Sequence, residues 1–95
     1  MYNISTHKID EFGRLLLPTK LRIHLKWEPG DELMSLVDSA ESKLVLYKSS
    51  TGRIEIDTLG RIIITPQLQS QLGWKTGDEV KIKLMAKEER LVLYV

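Results

Sequence analysis

The chain has 95 residues, which suffice for one compact domain or for two half-size units that share a core, and exclude two independent domains. Hydrophobic residues at 42% and charged residues at 28% are typical of globular proteins and exclude a disordered or fibrous class. The chain has no cysteine, which excludes disulfides and thiolate ligands, and its formal net charge of +1 means that any nucleic-acid surface must arise from local clustering.

The sequence contains an internal duplication. Shifted by 47 residues, segment 9–47 aligns on segment 56–94 without a gap, and 15 of the 39 positions are identical. Composition alone would give roughly two or three. We therefore expect a first repeat at 1–48, a linker at 49–52 and a second repeat at 53–95, with both repeats in one globular domain.

Each repeat begins with two predicted strands. In the first repeat a short strand ends near Asp10, a turn centres on Gly13, and the apolar triplet 15–17 predicts a second strand that completes a hairpin. The second repeat has the same pattern 47 residues later. A glycine at this point is typical of a turn that needs a positive φ.

A short helix is predicted next. Pro18 and Pro66 suit the first turn of a helix, where a missing N–H costs little. Leu21 and Leu25 are spaced to share one apolar face, and the helix is expected to end near Trp27. This tryptophan recurs in the second repeat, which favours core packing over base stacking.

Two further strands complete each repeat. A turn at 29–31 leads to a third strand, which in the second repeat alternates between apolar and lysine side chains over 80–84, and the fourth strand is LVLY. Neither repeat of order β-β-α-β-β can bury both faces of its short strands alone. We expect a mainly β fold with short helices, in which the repeats interleave around one barrel-like core.

Two segments carry a composite pattern: IDEFGRLLLPTKLRIHLKWEPGDEL and IDTLGRIIITPQLQSQLGWKTGDEV. This pattern resembles the AbrB/SpoVT/MraZ/MazE-like superfamily of swapped-hairpin, or cradle-loop, proteins, and the resemblance covers nearly the whole chain, twice. In that superfamily two β-hairpin units interlock into one barrel. The resemblance implies a swapped-hairpin barrel formed as an intrachain pseudo-dimer, with exchange between chains left open as an alternative.

The resemblance also implies a surface for double-stranded DNA, built from the arginine after the turn glycine and from basic residues near the first strand and the helix. The predicted DNA-binding residues are His7, Lys8, Arg14, Lys20, Arg22, His24, Lys26 and Arg61. In the second repeat, glutamines stand where the first repeat has its helical basic residues. The second repeat therefore either adds base readout or serves as scaffold.

These residues have structural interpretations too. Arg14 and Arg61 each follow an aspartate by four positions, so an ion pair that braces the turn is an alternative to DNA contact, and both roles can coexist. The basic helical residues also suit the solvated face of an amphipathic helix. His7 and His24 lack the cysteine partners and carboxylate spacing typical of a metal site.

The third strand of the first repeat suggests a protein contact. Met34 and Leu36 occupy the positions that Lys81 and Lys83 take in the second repeat. They predict either an outward apolar patch, used for self-association of pseudo-dimers or for docking of another protein, or a strand buried on both faces.

We therefore expect a sequence-selective transcription regulator of AbrB type, cytoplasmic and nucleoid-associated. The sequence has no catalytic constellation or phosphate-binding loop, no run of the roughly 20 apolar residues that span a membrane, and no signal-peptide pattern. We expect no enzyme activity, cofactor, metal, membrane contact or small-molecule substrate. The alternatives are an antitoxin-like module that binds a protein toxin, disfavoured because no acidic tail follows the last strand, and a structural self-assembling MraZ-like protein.

Overall fold

The computed structural model describes residues 4–95 and confirms a mainly β chain with two short helices. No helix in this part of the chain is long and apolar enough to cross a membrane. The elements are, in chain order, β1 (Ile4–Lys8), β2 (Arg14–Leu16), α1 (Thr19–Leu25), β3 (Glu32–Asp38), β4 (Lys43–Lys48), β5 (Ile54–Glu55), β6 (Arg61–Ile63), α2 (Pro66–Leu72), β7 (Glu79–Met85) and β8 (Arg90–Tyr94).

The strands form two antiparallel sheets that mix the two repeats. Six strands form one sheet in the order β1-β7-β8-β4-β3-β5, and β2 pairs with β6 in a separate ribbon. The edge strands β1 and β5 contact β2 and β6, so the ribbon lies across the open side of the curled sheet. The sequence-based hairpin between the first two strands of each repeat is wrong, because β1 and β2 diverge after the turn and each pairs with the other repeat.

The strand register has two-fold symmetry. Leu15 pairs with Ile62 at the centre of the ribbon, and Val45 pairs with Val92 at the centre of the sheet. In both pairs the partners are the same residue position of the two repeats. The β1–β7 and β5–β3 pairings are related in the same way, so a pseudo-two-fold axis runs from the ribbon to the sheet centre.

The core lies between the ribbon and the inner face of the large sheet. Leu15 and Ile62 point into it from the ribbon, and Leu46 and Leu93 from the sheet, each with at most 1% of its surface exposed. Every buried residue among those described is apolar. The predicted packing role of the tryptophans is confirmed, since Trp27 and its repeat mate are buried.

Both helices end earlier than predicted and differ in their caps. Pro18 is the N-cap of α1, one position before the first turn, whereas Pro66 is the first residue of α2. Thr65 caps α2 with a side chain that accepts a hydrogen bond from the Leu68 N–H, as expected for a threonine at this position. The chain then turns at Lys26 after α1, before the predicted end at the tryptophan.

The two C-caps predict a stabilising substitution. Lys26 has φ 60° and ψ 39°, a left-handed conformation that crowds Cβ, whereas its repeat mate Gly73 has φ 71° without that penalty. Lys26→Gly is therefore expected to raise the free energy of unfolding by about 1 kcal/mol. Urea unfolding measures this change in the free energy of unfolding. Gly73→Lys is the matched control and is expected to lower stability. Loss of stability in Lys26→Gly would contradict the cap argument.

Candidate nucleic-acid interface

The outer face of the β2–β6 ribbon presents two arginines and two aliphatic side chains. Arg14 pairs with Ile63, and Leu16 pairs with Arg61, while the intervening pair points into the core. Ile63 is 55% exposed and Leu16 is 39% exposed. Diagonal neighbours on one face of an antiparallel pair lie about 7 to 8 Å apart, so Arg14 and Arg61, one from each repeat, leave the ribbon at diagonal positions related by the pseudo-two-fold axis.

An aspartate holds each arginine and the turn before it. Asp10 Oδ1 accepts hydrogen bonds from the backbone N–H groups of Phe12 at 2.9 Å and Arg14 at 2.8 Å. Its Oδ2 accepts from Arg14 Nε at 2.7 Å. Asp57 makes the same three bonds in the second repeat, with Arg61 Nε at 2.8 Å. The predicted ion pairs are thus present in both repeats.

These ion pairs leave the arginines able to bind a ligand. Each aspartate engages Nε, and within residues 4–95 no hydrogen bond from the terminal Nη atoms of Arg14 or Arg61 is found. The Arg14 guanidinium carbon lies 4.9 Å from the centre of the Phe12 ring. A guanidinium fixed through Nε keeps a planar fork that suits phosphates and guanine edges.

The turn aspartates have lowered pKa values. Partial burial raises the pKa of Asp10, but hydrogen bonds from the Arg14 backbone and side chain and from the Phe12 N–H outweigh it and lower the pKa overall. Burial also raises the pKa of Asp57, and hydrogen bonds from the Arg61 backbone and side chain and from the Leu59 N–H outweigh it and lower this pKa overall. Both carboxylates are therefore more readily ionised in the folded chain than in the unfolded chain.

This difference predicts acid sensitivity. Carboxylates with a depressed folded pKa stabilise the fold above their unfolded pKa, and this stabilisation is lost as pH falls through the folded pKa. The free energy of unfolding of the native chain should therefore fall below about pH 4. Asp10→Asn/Asp57→Asn should be less stable at neutral pH and less dependent on pH in the acid range. Urea unfolding at several pH values checks this, and parallel curves for the two proteins would contradict it.

Each helix contacts the turn of the opposite repeat through one side chain. Arg22 of α1 donates from Nε to the Leu17 carbonyl at 3.2 Å and from Nη2 to Thr19 Oγ1 at 3.4 Å. A Cβ on Gly60 would lie 2.7 Å from Arg22 Nη2, so the guanidinium covers this glycine of the second repeat. Arg22 is half-buried and lies against the turn that precedes Arg61, in contrast to the solvated helix face considered as its alternative.

The second helix makes the mirrored contact. Gln69, the repeat mate of Arg22, donates from Nε2 to the Ile64 carbonyl at 2.8 Å. The same Nε2 would be 3.2 Å from a Cβ on Gly13. Gly13 and Gly60 have φ of 76° and 80°, so these positions favour glycine for both backbone conformation and space, as the turn interpretation predicted.

The other predicted DNA-binding residues are distributed over several surfaces. Lys20, His24 and Lys26 are exposed on or directly after α1. His7 pairs with the buried Val80 and is half-buried, so its side chain leaves β1 on the inner face of the sheet. The side chain of the next residue, Lys8, leaves β1 on the outer face. The structure thus groups Arg14, Arg22 and Arg61 around the ribbon and places the β1 pair on opposite faces.

The sequence interpretation overlooked the apolar part of this surface. Phe12 and Leu59 occupy the same position in the two turns and are 67% and 64% exposed. Together with Leu16 and Ile63 on the ribbon they make four exposed hydrophobic side chains on the two turns and the outer ribbon face. The sequence did contain a signal for this apolar surface, namely an apolar residue at the same position of the two predicted turns.

The third strand presents part of an apolar face to solvent. Leu36 is 47% exposed, and Met34 is half-buried on the side of β3 opposite the buried Leu33. The alternative in which this strand is buried on both faces is therefore wrong for Leu36. This face lies on the outside of the six-stranded sheet, away from the β2–β6 ribbon.

No protein-family model matches the chain, and no curated protein matches its sequence.

Proposed function

We propose that this protein is a sequence-selective DNA-binding transcription regulator of AbrB type, acting on double-stranded DNA in the cytoplasm at the nucleoid. The observation that carries the proposal is the β2–β6 ribbon, whose outer face presents Arg14 opposite the exposed Ile63 and Arg61 opposite the exposed Leu16. Two repeats thus contribute equivalent side chains to one continuous surface.

A two-stranded ribbon with these side chains is an element that the major groove of DNA can accept. That groove is about 12 Å wide and admits a two-stranded β-ribbon. Arginine forms bidentate hydrogen bonds to guanine, and aliphatic side chains pack on the thymine methyl group. The exposed Lys20 and Lys26 of the adjoining helix supply contacts to phosphates, which hold the protein on the duplex without specifying sequence.

The strand pairing supports the proposed superfamily. In a swapped-hairpin barrel the strands of one unit complete the sheet of the other, and here β1 pairs with β7 while β5 pairs with β3. Under this proposal the chain is a pseudo-dimer in which both units belong to one polypeptide.

Fluorescence anisotropy over a salt series tests the proposed function. The native chain is mixed with labelled duplexes of randomised core sequence, bound duplexes are recovered, and affinity is measured for a recovered sequence and for the starting pool. We expect binding that weakens steeply with salt, because cations that contact phosphates release counterions. We also expect preference for the recovered sequence.

Two variants of equal charge locate the surface. Arg14→Ala/Arg61→Ala should abolish the preference for the recovered duplex. Lys83→Ala/Lys87→Ala removes the same charge from exposed positions on β7 and the turn that follows it, away from the ribbon, and should retain the preference. Absence of DNA binding at low salt would overturn the proposed function. An arginine variant that keeps the preference for the recovered duplex would show that the ribbon is not the DNA-binding surface.

A second proposal is self-association through the outer face of the large sheet, favoured by the exposure of Leu36 beside Met34. Paired pseudo-dimers would bind adjacent DNA sites more tightly than one alone, through a higher effective concentration. Light scattering on the native chain and on Met34→Lys/Leu36→Lys tests it. If the native chain and the variant had the same molar mass in solution, self-association through this surface would be contradicted.

A further inference from the structure

The contacts between helix and turn create two lobes that are equivalent in backbone but differ in charge. The first lobe combines the turn 57–61 with the segment 19–26, since Arg22 covers Gly60. The second lobe combines the turn 10–14 with the segment 66–73, since Gln69 lies against Gly13. Each lobe therefore contains a helix from one repeat and a turn from the other.

We call the first lobe the basic lobe and the second the amide lobe. The basic lobe contains four basic side chains against the single carboxylate of Asp57; they are Lys20, Arg22, Lys26 and Arg61. The amide lobe contains Arg14 against the carboxylates of Asp10 and Glu11, and its helix carries glutamines in place of charges. The formal charges are thus +3 and −1, a difference of four between surfaces that the pseudo-two-fold axis relates.

This difference faces solvent. Lys20 and Lys26 are exposed in the basic lobe, and Gln67 and Gln71 are exposed at the corresponding helix in the amide lobe. Glu11 is also exposed, whereas its repeat mate in the basic lobe is a threonine. The sequence alone assigns the basic helix and Arg14 to the same repeat, so only the packing across repeats shows that the charge accumulates beside Arg61.

We infer that the chain binds an asymmetric duplex site in one fixed orientation, with the basic lobe on one half-site and the amide lobe on the other. This inference rests on the proposed DNA-binding function. The central ribbon has the same arginine in both halves, so it fits the duplex equally in either direction. The orientation is determined by the lobes.

Each lobe favours a different kind of half-site. Arginine and lysine form hydrogen bonds to guanine O6 and N7 in the major groove. The basic lobe therefore favours a half-site that presents guanine there. Glutamine amides form bidentate hydrogen bonds to the adenine edge in the major groove, so the exposed amides favour a half-site that presents adenine there. Reversal of the protein loses both preferences.

The absence of native cysteine allows a direct test. Ile23 and Ser70 are repeat mates, both exposed and both uncharged, on α1 and α2. Ile23→Cys and Ser70→Cys would each carry a tethered iron–EDTA group that cleaves nearby DNA. The probe is a duplex recovered from the randomised pool with the native chain, labelled at one end.

The expected result is one-sided cleavage. The Ile23→Cys probe should cut one side of the site centre roughly tenfold more than the other, and the Ser70→Cys probe should show the opposite bias, since one glutamine–adenine pair is worth about this much discrimination. Equal cutting on both sides by both probes, with affinity retained, would overturn the fixed orientation and leave the proposed function intact. Absence of binding by the native chain would overturn both.

A variant that halves the charge difference between the lobes provides the matched control. Gln67→Lys/Gln69→Arg gives the amide lobe two of the basic residues of the first helix, at the same repeat positions. In this background the cleavage bias should fall to less than half, while salt-dependent affinity increases. An unchanged bias would show that the charge difference does not orient the protein and would overturn the inference.

Discussion

Gly52→Ala is expected to lower the free energy of unfolding by about 3 kcal/mol, at the upper end of the usual cost of overpacking. A Cβ at this position would overlap the carbonyl carbon and oxygen of Leu33 and lie 2.7 Å from its backbone nitrogen. Leu33 is fully buried, and its strand is hydrogen-bonded to β4 on one side and β5 on the other. The backbone cannot move away without disturbing both pairings.

A second glycine isolates the steric effect. Gly73 has φ 71°, and a Cβ there would meet no atom within 4 Å, so Gly73→Ala carries only the cost of a left-handed alanine, about 1 kcal/mol. Urea unfolding of the two variants compares these costs, since both substitutions add the same methyl group. If Gly52→Ala were no less stable than Gly73→Ala, the predicted clash between a Cβ at position 52 and the Leu33 backbone would be contradicted.

Gly52 also illustrates which parts of the fold local sequence signals predict. The stretch 49–52 is polar and turn-forming, so it was interpreted as a linker, and the Gly52 N–H does donate to the Ser49 carbonyl in a turn. Its packing against β3 depends on contacts between residues far apart in sequence, which turn propensities do not encode. The element order was predictable from periodicity within short windows, and the repeat and the buried tryptophans were predictable from identity between segments 47 residues apart.

The pairing of the strands was harder to predict. A turn at Gly13 between two apolar segments is typical of a local hairpin, and the turn is present, with the Gly13 N–H donating to the Asp10 carbonyl. The three-residue strand β2 instead pairs with its repeat mate, where it covers the open side of the core. Local patterns describe the turn correctly and do not distinguish a partner 47 residues away.

The candidate site was predicted in part for the same reason. Arg14 and Arg61 were found from the repeated Gly-Arg turn, and both lie on the ribbon. Arg22 was also selected, but its position against Gly60 depends on packing between repeats. The opposite orientations of His7 and Lys8 follow from simple strand alternation and were predictable from the sequence.

The ribbon arginines should have the largest effect on recognition, and conservative substitution separates charge from geometry. Arg14→Lys and Arg61→Lys keep the positive charge but remove the planar fork that forms bidentate bonds. Each bidentate pair is worth about 1–3 kcal/mol of discrimination, so each single variant should lose about tenfold to a hundredfold affinity for the recovered duplex. Because the two positions are equivalent by pseudo-symmetry, their losses should be similar.

The salt dependence distinguishes recognition of bases from attraction to phosphates. Both lysine variants retain the charge, so the slope of log affinity against log salt should stay near that of the native chain, while affinity for the random pool changes little. Lys20→Ala should reduce affinity for both duplexes equally and decrease the slope by about one. Anisotropy titrations measure all of these quantities, with urea unfolding to confirm that each variant is folded. A lysine variant that binds the recovered duplex as tightly as the native chain would show that the planar guanidinium at that position does not read a base.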